Sequence, residues 1–264
     1  MRRDFAGKTV VITGGAGGIG TALAHSFAKA GAKLALLDLP QSPLEATRQK
    51  IAGHGTEVIA VPCDVTDREM CGRAMDAVVG QLGSIDVLIN NAGAVHRSLF
   101  VDTEVDVVRK VFEVNVFGSL NCTKAAQAAL LASRGLIIVI SSIAGLAPVA
   151  GRAGYVGSKH ALHGLFESAA AELGPSGVDV LMVCPTFTAS GFEAAAMGAD
   201  GKPVNQARTK VGAMAQPEEV AAAVLLAAER GQRRLILSPM GRAAAVLSRL
   251  TPGIYERLML RGLK

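Results

Sequence analysis

The chain has 264 residues, 50% of them hydrophobic and only 4% aromatic, with four cysteines and a net charge of +5. Such a length and hydrophobicity exclude a disordered or disulfide-stapled chain and predict one large α/β core, while the scarcity of aromatics argues against a stacking surface for nucleic acid. No run approaches ~18 uncharged apolar residues and Met1-Arg2-Arg3-Asp4-Phe5 lacks the apolar core of a signal peptide, so a cytoplasmic protein is expected.

In chain order, Lys8 to Thr13 reads as a short buried strand. It runs into Thr13-Gly14-Gly15-Ala16-Gly17-Gly18-Ile19-Gly20 and then the helical pattern Ala22, Leu23, Phe27, Ala28. Strand, glycine turn and helix start are the context that a dinucleotide fingerprint requires. Gly14 permits the tight turn, Gly18 lets the backbone approach a pyrophosphate, and Gly20 lets helix and strand pack closely. The helix N-terminus, from Gly17 through Ile19, offers unpaired amides and a positive dipole end to phosphates. A second apolar run, 33 to 37, ends in Asp38, 18 residues past Gly20. A carboxylate there accepts the hydroxyls of an adenosine ribose and repels a 2′-phosphate. With no Lys or Arg between Gly14 and Gly20, and Leu at position 39, NAD is expected over NADP.

Further apolar runs at 57 to 62, 86 to 90, 135 to 141, 178 to 184 and 233 to 237 alternate with helical patterns. The expected fold is a single-domain, doubly wound Rossmann fold over 1 to 264, with a seven-stranded, mainly parallel sheet flanked by helices and ligands at the strands' carboxyl ends. Ser142 follows the run Leu136 to Ile140, and 13 residues later stands Tyr155-Val156-Gly157-Ser158-Lys159. If 154 to 164 is helical, Tyr155 and Lys159 share a face. A phenol loses its proton near pH ~10, and a neighbouring ammonium favours the phenolate, so Lys159 is expected to lower the Tyr155 pKa toward acid/base use.

Taken together, these motifs resemble the short-chain dehydrogenase/reductase family over almost the whole chain. The glycine motif is similar to the family's Thr-Gly-x-x-x-Gly-x-Gly, and Asn90-Asn91-Ala92-Gly93 to its second fixed element. Asn115 lies 27 residues before Ser142, the family's spacing of catalytic asparagine and serine. The resemblance implies a tetrad of Asn115, Ser142, Tyr155 and Lys159, with Asn115 holding a water that connects Lys159 to solvent and Lys159 also holding the nicotinamide ribose. It implies Asp64 and Val65 at the adenine, Asn91 and Ala92 along its ribose, and hydride transfer between a nicotinamide and a secondary alcohol or ketone. The family's Pro-Gly with a later Thr becomes Pro185-Thr186-Phe187-Thr188-Ala189-Ser190, in which Pro185, Thr188 and Ser190 would line the nicotinamide.

The segment 191 to 214 occupies the family's variable lid and carries Phe192, Ala194, Ala195, Ala196, Met197, Val211 and Met214, while Leu146 to Ala150, between Ser142 and Tyr155, form a second apolar wall. A lipophilic substrate is expected. Cys63, Cys71, Cys122 and Cys184 form no Cys-x-x-Cys and have no zinc-like histidine spacing, so buried thiols and no metal are expected. His96, just after Asn-Ala-Gly, is either at the active-site mouth or in solvent. From Arg230 onward eight basic residues face Glu256 alone, so this segment carries +7 and the remainder −2. The tail, 242 to 264, reads as a basic amphipathic helix interrupted at Pro252, suited to a partner subunit or, less favoured, an anionic membrane surface. Small apolar residues along Ala125 to Leu131, and Ala161, Leu162, Leu165, Phe166, Ala169 and Ala170, point to a homodimer or homotetramer. A dinucleotide sensor without turnover, or a membrane-surface protein acting through the tail, are the alternatives to an enzyme.

Overall fold

The structure, a computed structural model, describes residues 3–53, 55–204 and 214–261. All seven expected runs form strands: β1 (Thr9–Thr13), β2 (Lys33–Asp38), β3 (Val58–Pro62), β4 (Val87–Asn90), β5 (Leu136–Ile140), β6 (Asp179–Cys184) and β7 (Arg234–Ile236). They make one sheet in the order β3-β2-β1-β4-β5-β6-β7, with every pairing parallel. Its central strands are apolar without alternation because both faces are covered. Val10 and Ile12 enter one core, while Val11 enters the other.

The first core takes its helical residues from α1 (Gly18–Lys29), α2 (Leu44–Ala52) and α7 (Pro217–Glu229). The second takes them from α3 (Arg68–Leu82), α5 (Gly118–Ser133) and α6 (Ala153–Leu173). Local chemistry sets the helix ends. The Asp67 carboxylate accepts the Met70 amide at 2.9 Å to start α3, and Gly83 at φ 87° stops it. A capping box between Gln216 and Glu219 starts α7. Before α5 the chain runs through α4 (Val105–Phe112) and a π-turn, Glu113–Phe117. Strand order reverses between β1 and β4, which opens a crevice at their carboxyl ends.

The tail forms α8 (Pro239–Leu250) and α9 (Pro252–Arg261), broken at Thr251 and Pro252 as the sequence predicts. It lies on its own chain. Tyr255 donates to the Pro148 carbonyl at 2.8 Å, and Gly241 packs so closely on Ile143 that a Cβ there would sit 2.7 Å from its Cγ2. Among the described residues no helix is long and apolar enough to cross a membrane. Val211, with the rest of 205–213, and Leu263 and Lys264 lie outside the described residues.

Candidate active site

A cavity of about 1730 Å³ lies at the carboxyl ends of the strands. At one end Gly14, at φ 64°, turns the chain under α1, and a Cβ there would stand 3.0 Å from the Ala92 Cα. A Cβ on Gly18 would lie 2.6 Å from the Ser190 carbonyl, and one on Gly20 would collide with the Gly14 carbonyl. Gly17 caps the helix without a side-chain hydrogen bond, so the first amides of α1 are presented to the cavity. This is a cradle for an anion, and the residues fit a dinucleotide.

Asp38 ends β2 in the cavity wall, where its carboxylate also accepts the Ala16 amide at 2.9 Å and the Leu39 amide at 2.8 Å. Asp64 and Val65 line the same end after β3. Asp64 accepts the Thr66 amide and hydroxyl, and Val65 is held by Asn121, whose amide donates to its carbonyl at 3.0 Å. Asn91 and Ala92 line it too, but the Asn91 amide is engaged by the Thr13 and Gly14 carbonyls and so braces the glycine turn. Pro185, Thr188 and Ser190 complete the wall after β6, with Thr186 alongside. Behind the Val65 wall, the free thiols Cys63, Cys71 and Cys122 pack with Sγ to Sγ distances of 3.9 and 3.7 Å, and Cys184 is likewise a buried free thiol. Among the described residues no cluster suited to a metal ion is found.

At the other end stand Ser142, Tyr155 and Lys159. The register of β5 delivers Ser142 to the cavity, where its Oγ accepts the Ala144 amide at 3.1 Å and its hydroxyl is within hydrogen-bond reach of Tyr155. Tyr155 and Lys159 share one face of α6, as the spacing predicts, and both are buried. The electrostatics differ from expectation. Burial pushes the Tyr155 phenol up to about 12, against the lowering effects of a Ser142 hydrogen bond and of Arg152. Lys159 does not supply the lowering. Its ammonium, 5.7 Å from the ring centroid, donates to the Ile140 carbonyl at 2.9 Å, and burial drops its own pKa to about 8.

Asn115 lies in the π-turn. Its side chain donates to the Ala94 carbonyl at 3.0 Å and to Ser158 Oγ at 2.8 Å, and accepts the Ala94 amide at 2.7 Å, while its own carbonyl accepts from Ser119. These bonds fasten the loop after β4 to α6, and the side chain does not meet Lys159. His96 is at neither the mouth nor the surface. It is fully buried, and its Nε2 accepts the Gly154 amide at 2.9 Å, which leaves Nδ1 as the protonated nitrogen facing Ser98.

Sequence reasoning missed two parts of the wall. Arg152, the residue before α6, reaches Glu193 beyond β6, and Glu193 also meets Arg97. A cation three positions before Tyr155 was the available signal. The roof is the tail: Met240, Ala243, Ala244, Leu247, Tyr255 and Met259 all line the cavity. Its amphipathic pattern was legible, but what it covers was not.

The family model described as short chain dehydrogenase matches residues 8–199. A dehydrogenase/reductase SDR family protein 7-like from Anopheles gambiae is 32% identical over 97% of this chain and 83% of its own. An estradiol 17-beta-dehydrogenase 11 from Macaca fascicularis is 31% identical over 98% and 84%. Among solved structures, a short chain dehydrogenase/reductase from Burkholderia phymatum in complex with NAD superposes with a TM-score of 0.85, at 26% identity and 96% of each chain. An alcohol dehydrogenase from Thermococcus sibiricus, complexed with 5-hydroxy-NADP, gives 0.76 at 26% identity, over 87% of this chain and 95% of that one.

Proposed function

We propose, from a chain that belongs to the short-chain dehydrogenase family and is thereby an NAD(P)-dependent oxidoreductase, that it interconverts a lipophilic secondary alcohol and its ketone, prefers NAD, and uses Tyr155 as general acid/base. The observation that carries this reading is the placement of the buried Tyr155 phenol, hydrogen-bonded by Ser142, between the glycine cradle and the apolar end of one cavity. The relative named estradiol 17-beta-dehydrogenase 11 supports the same substrate class. Asp38 at the end of β2 supports the choice of NAD.

The α1 amides, Asp38, Asp64, Val65 and the wall after β6 would hold the dinucleotide, which would supply the acceptor or donor of the hydride. With a pKa of about 12, Tyr155 is protonated at neutral pH and gives its proton to the carbonyl oxygen in the reductive direction. Ser142 donates to the same oxygen as negative charge grows, the kind of preorganised bond that contributes ~3 kcal/mol. In oxidation Tyr155 must first lose its proton. Ser142 and Arg152 favour that loss, and Lys159, near pKa 8, exchanges protons close to neutrality. Asn115 acts at one remove, by holding the loop after β4 and Ser158 in register with Tyr155.

Tyr155→Phe is expected to retain fold and NAD affinity while lowering turnover at least ~100-fold. Reduced-cofactor absorbance with a panel of secondary alcohols reads the rate. A variant that keeps most of its turnover removes Tyr155 from the role.

A further inference from the structure

The tail turns one side to the cavity and the other to solvent. On α8, Arg242, Val246, Arg249 and Leu250 recur at helical spacing and are all exposed, while Leu247 lines the cavity. On α9, Ile254, Arg257 and Leu258 repeat the arrangement outward, while Tyr255 and Met259 line the cavity. The aliphatic members are far from buried: Val246 is 57% exposed, Leu250 76% and Ile254 53%. In sequence, Arg242, Arg249, Arg257 and Arg261 accompany them against Glu256, the one acid between 239 and 261.

The edge of the cavity lies on this face. Met240 and Leu258 line the cavity and are themselves exposed. Tyr255 holds the Pro148 carbonyl and the Ser98 amide donates to the Gly151 carbonyl at 3.1 Å, so the loop 148–151 joins the tail to a second apolar stretch. There Leu99 lines the cavity, and Phe100 and Val101 are 81% and 85% exposed. Asp102 and Glu104 follow, so the exposed positive charge at this edge comes from the tail.

A face on which arginines are interleaved with aliphatic side chains matches a lipid surface with anionic head groups. The aliphatic groups enter the acyl boundary, while arginine stems lie along it and their guanidinium forks pair with phosphate oxygens. A second copy of this chain fits less well, because a two-fold contact through this face sets the same arginines against each other. We propose that the outward face of α8 and α9 docks the protein on an anionic lipid surface, with the edge of the cavity at the lipid. The docking stands apart from the oxidoreductase reading; that a lipophilic substrate enters the cavity from the lipid rests on it.

The full-length protein is sedimented with vesicles of phosphatidylcholine alone or with about one third phosphatidylglycerol. Each arginine near an anionic surface is worth roughly fivefold in partition, so the anionic vesicles are expected to bind at least ~10-fold more tightly, and less so as salt is added. Arg249→Gln with Arg257→Gln, and separately Leu250→Ser with Ile254→Ser, are each expected to lower that partition at least ~10-fold. Arg68→Gln with Arg73→Gln removes the same charge from α3 and is expected to change it less than ~3-fold. None of these side chains lines the cavity, so an unchanged thermal midpoint and NAD affinity are expected and show that each variant folds. Binding that is absent, equal on both lipids or retained in either face variant overturns the docking. So does an oligomeric parent that Leu250→Ser with Ile254→Ser dissociates in light scattering, which gives the face to a second copy. A long-chain secondary alcohol carried in the vesicles is expected to turn over faster from the anionic ones, with the difference lost in the apolar pair. Equal turnover from both lipids by a protein that docks overturns the substrate route. Docking with no turnover of any alcohol upholds the docking and removes the oxidoreductase reading together with that route.

Discussion

Keeping an ammonium charged costs free energy wherever water is excluded, and Lys159 shows the result in a pKa near 8 instead of its ordinary 10.5. Between those two values the unfolded chain binds the proton that the folded one has released, so this residue makes stability rise with pH from about 8 to 10.5; below 8 the penalty is full. The difference in thermal midpoint between the parent and Lys159→Met is therefore expected to move in the parent's favour across that window. A difference that stays flat on a pH series of melting curves would contradict the lowered pKa. Asp38 calls for a gentler change than alanine, because its carboxylate also holds the Ala16 amide of the glycine turn. Asp38→Asn keeps an acceptor and removes the charge, so NADP affinity should rise at least several-fold while NAD affinity changes less. Equilibrium titration of both cofactors decides it, and equal affinities in the parent protein would remove Asp38 from cofactor selection. The separations within the site explain what could be read in advance. Tyr155 and Lys159 are one helical turn apart, a local relation that spacing encodes. Arg152 and Glu193 are 41 positions apart and Arg97 and Glu193 96, and only the folded chain brings them together.

At the scale of elements, all seven strands were legible because each carries a short, mostly apolar run bounded by turn residues or the helix patterns that follow. The helices of the tail were legible as well, through Pro252 and their amphipathic spacing. Their resting place was not, since an apolar face specifies only that something covers it. The cover proves to be the substrate end of the cavity, where Leu247 and Met259 form part of the roof and Tyr255 latches α9 to Pro148. Ending the chain after Leu237 is accordingly expected to leave NAD affinity unchanged and to raise KM for a lipophilic alcohol at least ~10-fold, because one buried Leu-sized contact alone contributes about 1.5 to 3 kcal/mol. Steady-state kinetics with calorimetry of NAD binding reads both, and an unchanged KM would show that the roof makes no contact with substrate. The π-turn at Asn115 was not legible, since one inserted residue leaves no periodic trace; Asn115 itself was found only by its spacing to Ser142.

For the whole molecule, the outward faces of the helices bear on assembly. Leu162 and Phe166, expected from sequence on an interface, are instead buried in the chain's own second core. What remains outward on α6 and just before α5 is Leu165, 39% exposed, and Phe117, 48% exposed, with small residues between. Those suffice for a close, symmetric helix contact, and a homodimer or homotetramer is expected by light scattering, with Leu165→Arg shifting it toward monomer. A monomeric parent would eliminate the contact. The tail roof has its own bearing on inheritance. The family model matches only as far as residue 199, while the roof of the cavity is drawn from α8 and α9, between residues 239 and 259. The cofactor cradle thus falls wholly within that match, whereas the other end of the cavity is shared between matched residues such as Val149, Arg152 and Phe192 and a tail beyond the match, so exchange of the tail alone is expected to alter substrate range while keeping every cradle residue.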